Sequence, residues 1–193
     1  MIPELSEIKI KDGGVVAVDL ETYDPDLKKH GSGAILSISD PDKGKVVGIA
    51  LAYENKKFYF PIAHKGANLA KNIVWRNLNK KIFQNEKITK VFHNAMYDVC
   101  WIRATTGMMV KGPILDTMIA ASVIDENRMT YSLDSLAKDY LNDSKYKYDL
   151  ADKALEDHGI SDPMSNMHKL PYSLVRDYAE QDVDLTLRLW SIF

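Results

Sequence analysis

The stretch Val15-Val16-Ala17-Val18-Asp19-Leu20-Glu21 decides how this chain is read. It is apolar up to Asp19 and then carries two acids one residue apart. Side chains on a strand alternate faces. Val16, Val18 and Leu20 are therefore expected on one side, and Val15, Ala17, Asp19 and Glu21 on the other. So apolar a strand is expected in the middle of a sheet, covered on both sides. Two carboxylates at its end are costly to bury unless something pairs with them, and a divalent cation is such a partner. The competing reading places the pair in water just beyond the sheet. An Asp-x-Glu arises by chance about once in a chain of this size. The stretch alone decides nothing, and its meaning depends on what else converges on it.

Working outward, the 193 residues fit one domain large enough for a proper core. A hydrophobic content of 46% and a charged content of 27% are those of an ordinary globular protein. No apolar run of about 18 residues is present to cross a membrane. The first residues, Met1-Ile2-Pro3-Glu4-Leu5, lack the basic-then-apolar pattern of a signal peptide. The single cysteine, Cys100, excludes an internal disulfide and fits a reducing compartment. A net charge of -2 gives no global electrostatic case for nucleic acid. It does not exclude one, because a metal site built of carboxylates adds acids to the count.

Asp12-Gly13-Gly14 is a turn leading into the strand at 15–21, and 22–45 reads as a loop. Residues 46–53 and 57–62, joined by Glu54-Asn55-Lys56, form the clearest hairpin. Ile88 to His93 reads as a strand and Asn94 to Thr106 as a helix stopped by Gly107. Pro113 to Leu115 precedes a helix from Asp116, its expected N-cap, to Ile124. Further helices are expected from Ser132 to Leu141, from Asp149 to His158, and from Pro171 to the end. Strands come early and helices late, with alternation around 88–124, which predicts a mixed sheet with helices on its faces.

Two later stretches carry acids on apolar faces. In Val91-Phe92-His93-Asn94-Ala95-Met96-Tyr97-Asp98, a strand runs into a helix on which Asn94 and Asp98 share a face, continued by Trp101, Ile102 and Thr105. Helix capping is the ordinary explanation of such an Asp, by well under ~1 kcal/mol. His93, and His64 after Pro61-Ile62-Ala63, are single histidines at strand ends, a type more often packed or solvated than ligating. In the last helix Tyr178, Asp182, Leu185 and Leu189 follow one line, which Asp182 interrupts; Asp184 falls off it. A buried Asp without a partner is severely destabilising. Each signal is weak alone. Together, Asp19, Glu21, Asp98 and Asp182 bring four carboxylates from one strand and two helices that can meet. Hard oxygen ligands suit Mg²⁺ or Mn²⁺. Two such ions ~3.5–4 Å apart can activate water and stabilise the leaving oxygen of a phosphodiester. Tyr178, one turn before Asp182, can reach the same point and orient the water.

Asp19-x-Glu21, Asn94-x-x-x-Asp98 and Tyr178-x-x-x-Asp182, in this order, resemble the DnaQ-like 3′–5′ exonucleases, and the Tyr matches their DEDDy branch. Asp116-Thr117-Met118, Ser132-Leu133-Asp134-Ser135-Leu136-Ala137 and Tyr178 to Leu187 bring the chain nearest to the proofreading domains of family A, polymerase I-type DNA polymerases, those of phages above all. The likeness runs from 15 to 190. It implies a single α/β domain over 1–193 with the ribonuclease H-like mixed sheet flanked by helices. It implies two divalent cations, Mg²⁺ or Mn²⁺. Asp19, Glu21 and Asp182 would hold the first, and Asp19, with Asp98 behind a water shell, the second. Tyr178 would position the nucleophile, and Asn94, Thr22 and Leu27 would contact the terminal nucleotide.

The implied substrate is a single-stranded DNA 3′ end, with release of 5′-mononucleotides. The implied partner is a covalently linked polymerase domain, from which residues 1–193 would be excised or to which they would be N-terminal. A monomer without a membrane, in the cytoplasm of a bacterium or phage host, completes the expectation. The polymerase I pattern places an apolar wedge near Pro25, where Leu27 is the nearest large apolar residue. Lys28, Lys29 and His30 either touch the DNA backbone or form a solvated loop. An RNase D-like exoribonuclease and a non-catalytic 3′-end-binding or scaffold module remain the alternatives.

Overall fold

The computed structural model describes residues 2–25, 27–30, 44–143 and 147–193. Five strands form one sheet in the order β3-β2-β1-β4-β5. They are β1 (Val15–Tyr23), β2 (Lys45–Tyr53), β3 (Lys56–Pro61), β4 (Thr89–Phe92) and β5 (Ile114–Asp116). β1 lies at the centre, antiparallel to β2 and parallel to β4. β3 closes one edge as a hairpin with β2, and β5 the other, parallel to β4.

The helices are α1 (Leu27–His30), α2 (Lys71–Leu78), α3 (Ala95–Thr106), α4 (Thr117–Ile124), α5 (Leu133–Leu136), α6 (Lys147–His158), α7 (Pro163–Asn166) and α8 (Tyr172–Trp190). α2 and α5 each run on into a π-helical turn, at Asn79–Phe83 and Ala137–Leu141. The strands and helices expected from sequence are present with ends moved by one to three residues. Within the expected loop at 22–45, β1 extends to Tyr23 and α1 forms; residues 31–43 lie outside the described residues. No element is read from sequence over 65–87, where the structure places α2. There Val74, Trp75, Leu78, Ile82 and Phe83 recur at helical spacing and are buried.

The period of two in β1 separates two layers. Val16, Val18 and Leu20 join Ile49, Leu51, Phe58 and Phe60 in a large-residue core under α2 and α3. The opposite face is built of small residues: Ala17 on β1 and Gly48, Ala50 and Ala52 on β2. Val175, Tyr178, Ala179 and Val183 of α8 pack there. Small side chains on the sheet and Ala179 on the helix let α8 approach the strands closely, so that acids on both can meet. Each fully buried valine on this face contributes roughly 2 kcal/mol. Leu185 and Leu189 continue α8 into a third cluster with α4 and α5.

Candidate active site

The acids of the central strand emerge on the small-residue face. Asp19 stands opposite Ala50 of β2, and Glu21 opposite Gly48. The ladder slips between Glu21 and Thr22, an irregularity of the kind that turns a strand end toward a site. Asp182 comes down from α8 onto the same place. One carboxylate oxygen from each of Asp19, Glu21 and Asp182 lies within 4.8 Å of the others. Glu21 is 7% exposed and Asp182 6%.

Asp98 arrives from the other layer. The β1–β4 ladder covers only Val15 to Ala17, because β4 stops at Phe92. The edge of β1 beyond it is open to a side chain, and the Leu20 N–H donates to Asp98 Oδ1 at 3.0 Å. Asp98 is 3% exposed. Burial raises its carboxyl well above the usual carboxylate range, and the charge of Asp19 adds to the effect. Asp98 thus stands outside the three-acid set while lining the same cavity.

The start of α3 is fixed by a single carboxylate. Asp116 accepts hydrogen bonds from the N–H groups of Asn94 (3.0 Å) and Ala95 (2.7 Å), and it also caps its own helix through Met118 and Ile119. Asn94 takes a left-handed conformation, φ 69°, to make this turn. The capping expected of Asp116 is present and serves two helices. Asp98 is thereby held one turn into α3.

Tyr178 is 8% exposed and hydrogen-bonds to Asp182 one turn on. Burial, and then the charges of Asp182, Glu21 and Asp19, hold its phenol protonated. The cavity in front of these groups measures about 330 Å³. All eight residues expected at the site line it: Asp19, Glu21, Thr22, Leu27, Asn94, Asp98, Tyr178 and Asp182. The Thr22 hydroxyl is hydrogen-bonded to the Tyr97 hydroxyl at 2.6 Å. His93 bonds Thr117 and also lines the cavity. The side chains of Lys28 and His30 lie outside the described residues, and Lys29 is exposed.

Sequence reasoning misses Asp24, Tyr97, Asp162, Met164 and Met167 in this wall. Met164 and Met167 belong to α7 and the short turn after it, too brief for any period to show. A larger hollow of about 490 Å³ between α6 and α8 shares Tyr178. It is lined by charges of both signs, Lys57 and Lys153 among them, and does not include the Asp19–Glu21 pair.

The donor set fits a divalent cation. Asp19, Glu21, Asp24, Asp98, Asp162 and Asp182 all line the cavity, and the lining described contains no Lys or Arg. Oxygen donors without histidine or cysteine in the close trio suit a hard ion.

A model of the 3′–5′ exonuclease family matches residues 2–193. The chain belongs to that family. DNA polymerase I of Pseudomonas aeruginosa is 28% identical to this exonuclease over 187 residues, covering 90% of the chain and 20% of the polymerase. A DNA-directed DNA polymerase of Pseudomonas phage M6 is 31% identical over 194 residues, covering 97% of the chain and 28% of the polymerase. The exonuclease therefore spans about a fifth to just over a quarter of the length of these relatives.

Among solved structures, Brucella melitensis NrnC bound to pGG has a TM-score of 0.64 at 21% identity, covering 99% of this chain and 75% of that one. That likeness shows the shared ribonuclease H-like fold. The family makes the chain a 3′–5′ exonuclease, a hydrolase of ester bonds acting from a 3′ end. Among the described residues, no helix is long and apolar enough to cross a membrane.

Proposed function

We propose that the exonuclease removes 5′-mononucleotides from single-stranded DNA 3′ ends with two divalent cations, Mg²⁺ or Mn²⁺, and that it proofreads for a covalently linked DNA polymerase. The three-acid cluster beneath α8 carries this reading. The polymerase link is supported by relatives that are DNA polymerases several times its length. On this reading it works as a monomer in the cytoplasm of a bacterium or a phage host.

Asp19, Glu21 and Asp182 would hold the first ion, and Asp19, with Asp98 beside it, the second. When bound, such ions supply an activated water and stabilise the leaving oxygen. The bond that breaks joins the terminal phosphorus to the O3′ of the preceding nucleotide, which becomes the new 3′ end.

The chain's own residues position the reactants. Tyr178, held protonated, does not act as a base. It donates to Asp182 and leaves its oxygen lone pairs to orient the incoming water. Asn94, Thr22 and Leu27 contact the terminal nucleotide, with Leu27 the apolar group nearest the base. Tyr97, Met164 and Met167 add apolar walls suited to a nucleobase.

Digestion of a 5′-labelled single-stranded DNA with Mg²⁺, beside a matched RNA and the Asp19→Ala variant, tests the reading. Stepwise shortening of DNA from its 3′ end, abolished in Asp19→Ala, is expected. Preference for the RNA would make the protein an exoribonuclease. Binding of the 3′ end without cleavage would make it a scaffold module. Equal activity in Asp19→Ala would overturn the site.

A further inference from the structure

Behind the acids, on the α8 side of the sheet, lies a buried hydrogen-bonded pair that the proposed mechanism does not use. The Tyr59 hydroxyl and His64 Nε2 are 2.6 Å apart. His64 Nδ1 lies 3.1 Å from the carbonyl oxygen of Leu170. Tyr59 is fully buried and His64 is 7% exposed. A carbonyl can only accept, so Nδ1 carries the proton and Nε2 accepts from Tyr59. The chain of donors therefore has one direction, from Tyr59 through His64 to Leu170.

Its two ends are at the elements that bear the acids. On the sheet, Tyr59 is the cross-strand partner of Ala50, which is itself the partner of Asp19. The Tyr59 hydroxyl sits over Gly48, where an added Cβ would come within 2.1 Å of it. Gly48 is the partner of Glu21. The residue beneath the hydroxyl is thus one strand spacing, about 4.8 Å, from the Glu21 backbone. The charges of Glu21 and Asp19 are both felt at the ring. At the other end, Leu170 is followed directly by Pro171, the cap of α8. A bridge between Lys65 and Pro171 joins the same two segments. α8 then carries Tyr178 and Asp182.

We propose that Tyr59 and His64 are a positioning pair that ties the start of α8 to the sheet beside Glu21, setting the distance between the β1 acids and Asp182. Neither touches the reacting atoms; both act through the carboxylates they align. The inference rests on the metal-dependent exonuclease reading of the same site.

The test compares wild type with Tyr59→Phe, His64→Leu, the double variant, and His64→Gln, whose amide can both accept and donate. Two quantities are read at a temperature where each variant is folded: kcat against KM on a single-stranded DNA, and Mn²⁺ affinity without substrate. Tyr59→Phe and His64→Leu are each expected to lower kcat about tenfold with KM unchanged and to weaken Mn²⁺ binding several-fold. The double variant should lose no more than either single one, and His64→Gln should recover most of the loss.

Variants that melt earlier yet keep wild-type kcat and Mn²⁺ affinity would show a merely structural pair and overturn the proposal. Additive losses, or no recovery in His64→Gln, would also overturn it. If wild type cleaves no 3′ end, the enzyme reading fails by itself, and the Mn²⁺ affinities of the same variants still decide whether the pair sets the cluster.

Discussion

Two regions of this sheet bury charge, and they do so in opposite ways. Lys90 on β4 is fully buried. Its ammonium group has three donors, and all are met by carbonyl oxygens: Asn85 at 2.6 Å, Ile88 at 2.8 Å, and Lys111. Burial lowers its pKa, but the site is closed and complete. On the neighbouring strand β1, Asp19 and Glu21 meet Asp182 and bring like charges together beneath α8. The lining of that cavity described contains acids and no Lys or Arg. The protein answers the first buried charge with its own backbone. On the proposed reading, a cation from outside balances the second. The difference separates a structural charge from a functional one, although both are buried on neighbouring strands.

The sharpest way to break the comparison is to remove one member of each region. Asp19→Ala should lower 3′–5′ hydrolysis by roughly 10³-fold or more, since metal catalysis supplies several kcal/mol. Its melting temperature without metal should not fall, because a like charge has been removed. Lys90→Ala should do the reverse. It strands three buried carbonyls and opens a void, costing about 3–5 kcal/mol in denaturant unfolding. Activity per folded molecule should stay at the wild-type level. A stable Lys90→Ala protein, or one specifically inactive though folded, would end the distinction.

His64 is a third case, a group buried neutral. Burial lowers its pKa from 6.5 to about 4. Above pH 6.5 both folded and unfolded states are neutral there, and its contribution is full. As pH falls below 6.5 the unfolded chain takes up a proton that the folded one refuses until about pH 4. Roughly 3 kcal/mol of stability should be lost across that window. Asp98, with a raised pKa, works in the other direction, since its folded form is protonated first as pH falls. The comparison is therefore between slopes: metal-free wild type should lose stability with acid more steeply than His64→Gln. Parallel slopes would contradict a neutral buried His64.

A smaller effect belongs to Tyr178. On the proposed reading, Tyr178→Phe removes the hydroxyl that orients the water but no metal ligand. Activity should fall about 10–100-fold while Mn²⁺ affinity stays within twofold. Loss of affinity instead would place Tyr178 with the ligands.

Much of this was legible in residue order, and the remainder has identifiable causes. β1 announced itself because an apolar period of two ends in acids, and Asp182 because it breaks a clean apolar line on a long helix. A mixed sheet, its hairpin and its last helix followed from the same patterns, and its ribonuclease H-like character from the family resemblance. The arrangement of Asp98 did not follow, since its bond to Leu20 exists only because β4 ends where it does, and strand pairing leaves no mark in sequence. Lys90 looked like any strand lysine, because the carbonyls that hold it come from a turn and a distant segment. His64 read as one isolated histidine, with its partners five and 106 residues away. α2 was recoverable from its apolar spacing, whereas α7 and the turn that brings Met167 to the cavity are too short to carry a period.

The most direct measurement is Mn²⁺ binding to the metal-free protein, followed by electron paramagnetic resonance of free Mn²⁺, in wild type, Asp182→Asn and Lys90→Met. The account predicts saturable binding by wild type and by Lys90→Met, and at least tenfold weaker binding by Asp182→Asn. Unchanged binding in folded Asp182→Asn would contradict the claim that the acids beneath α8 are gathered for a cation.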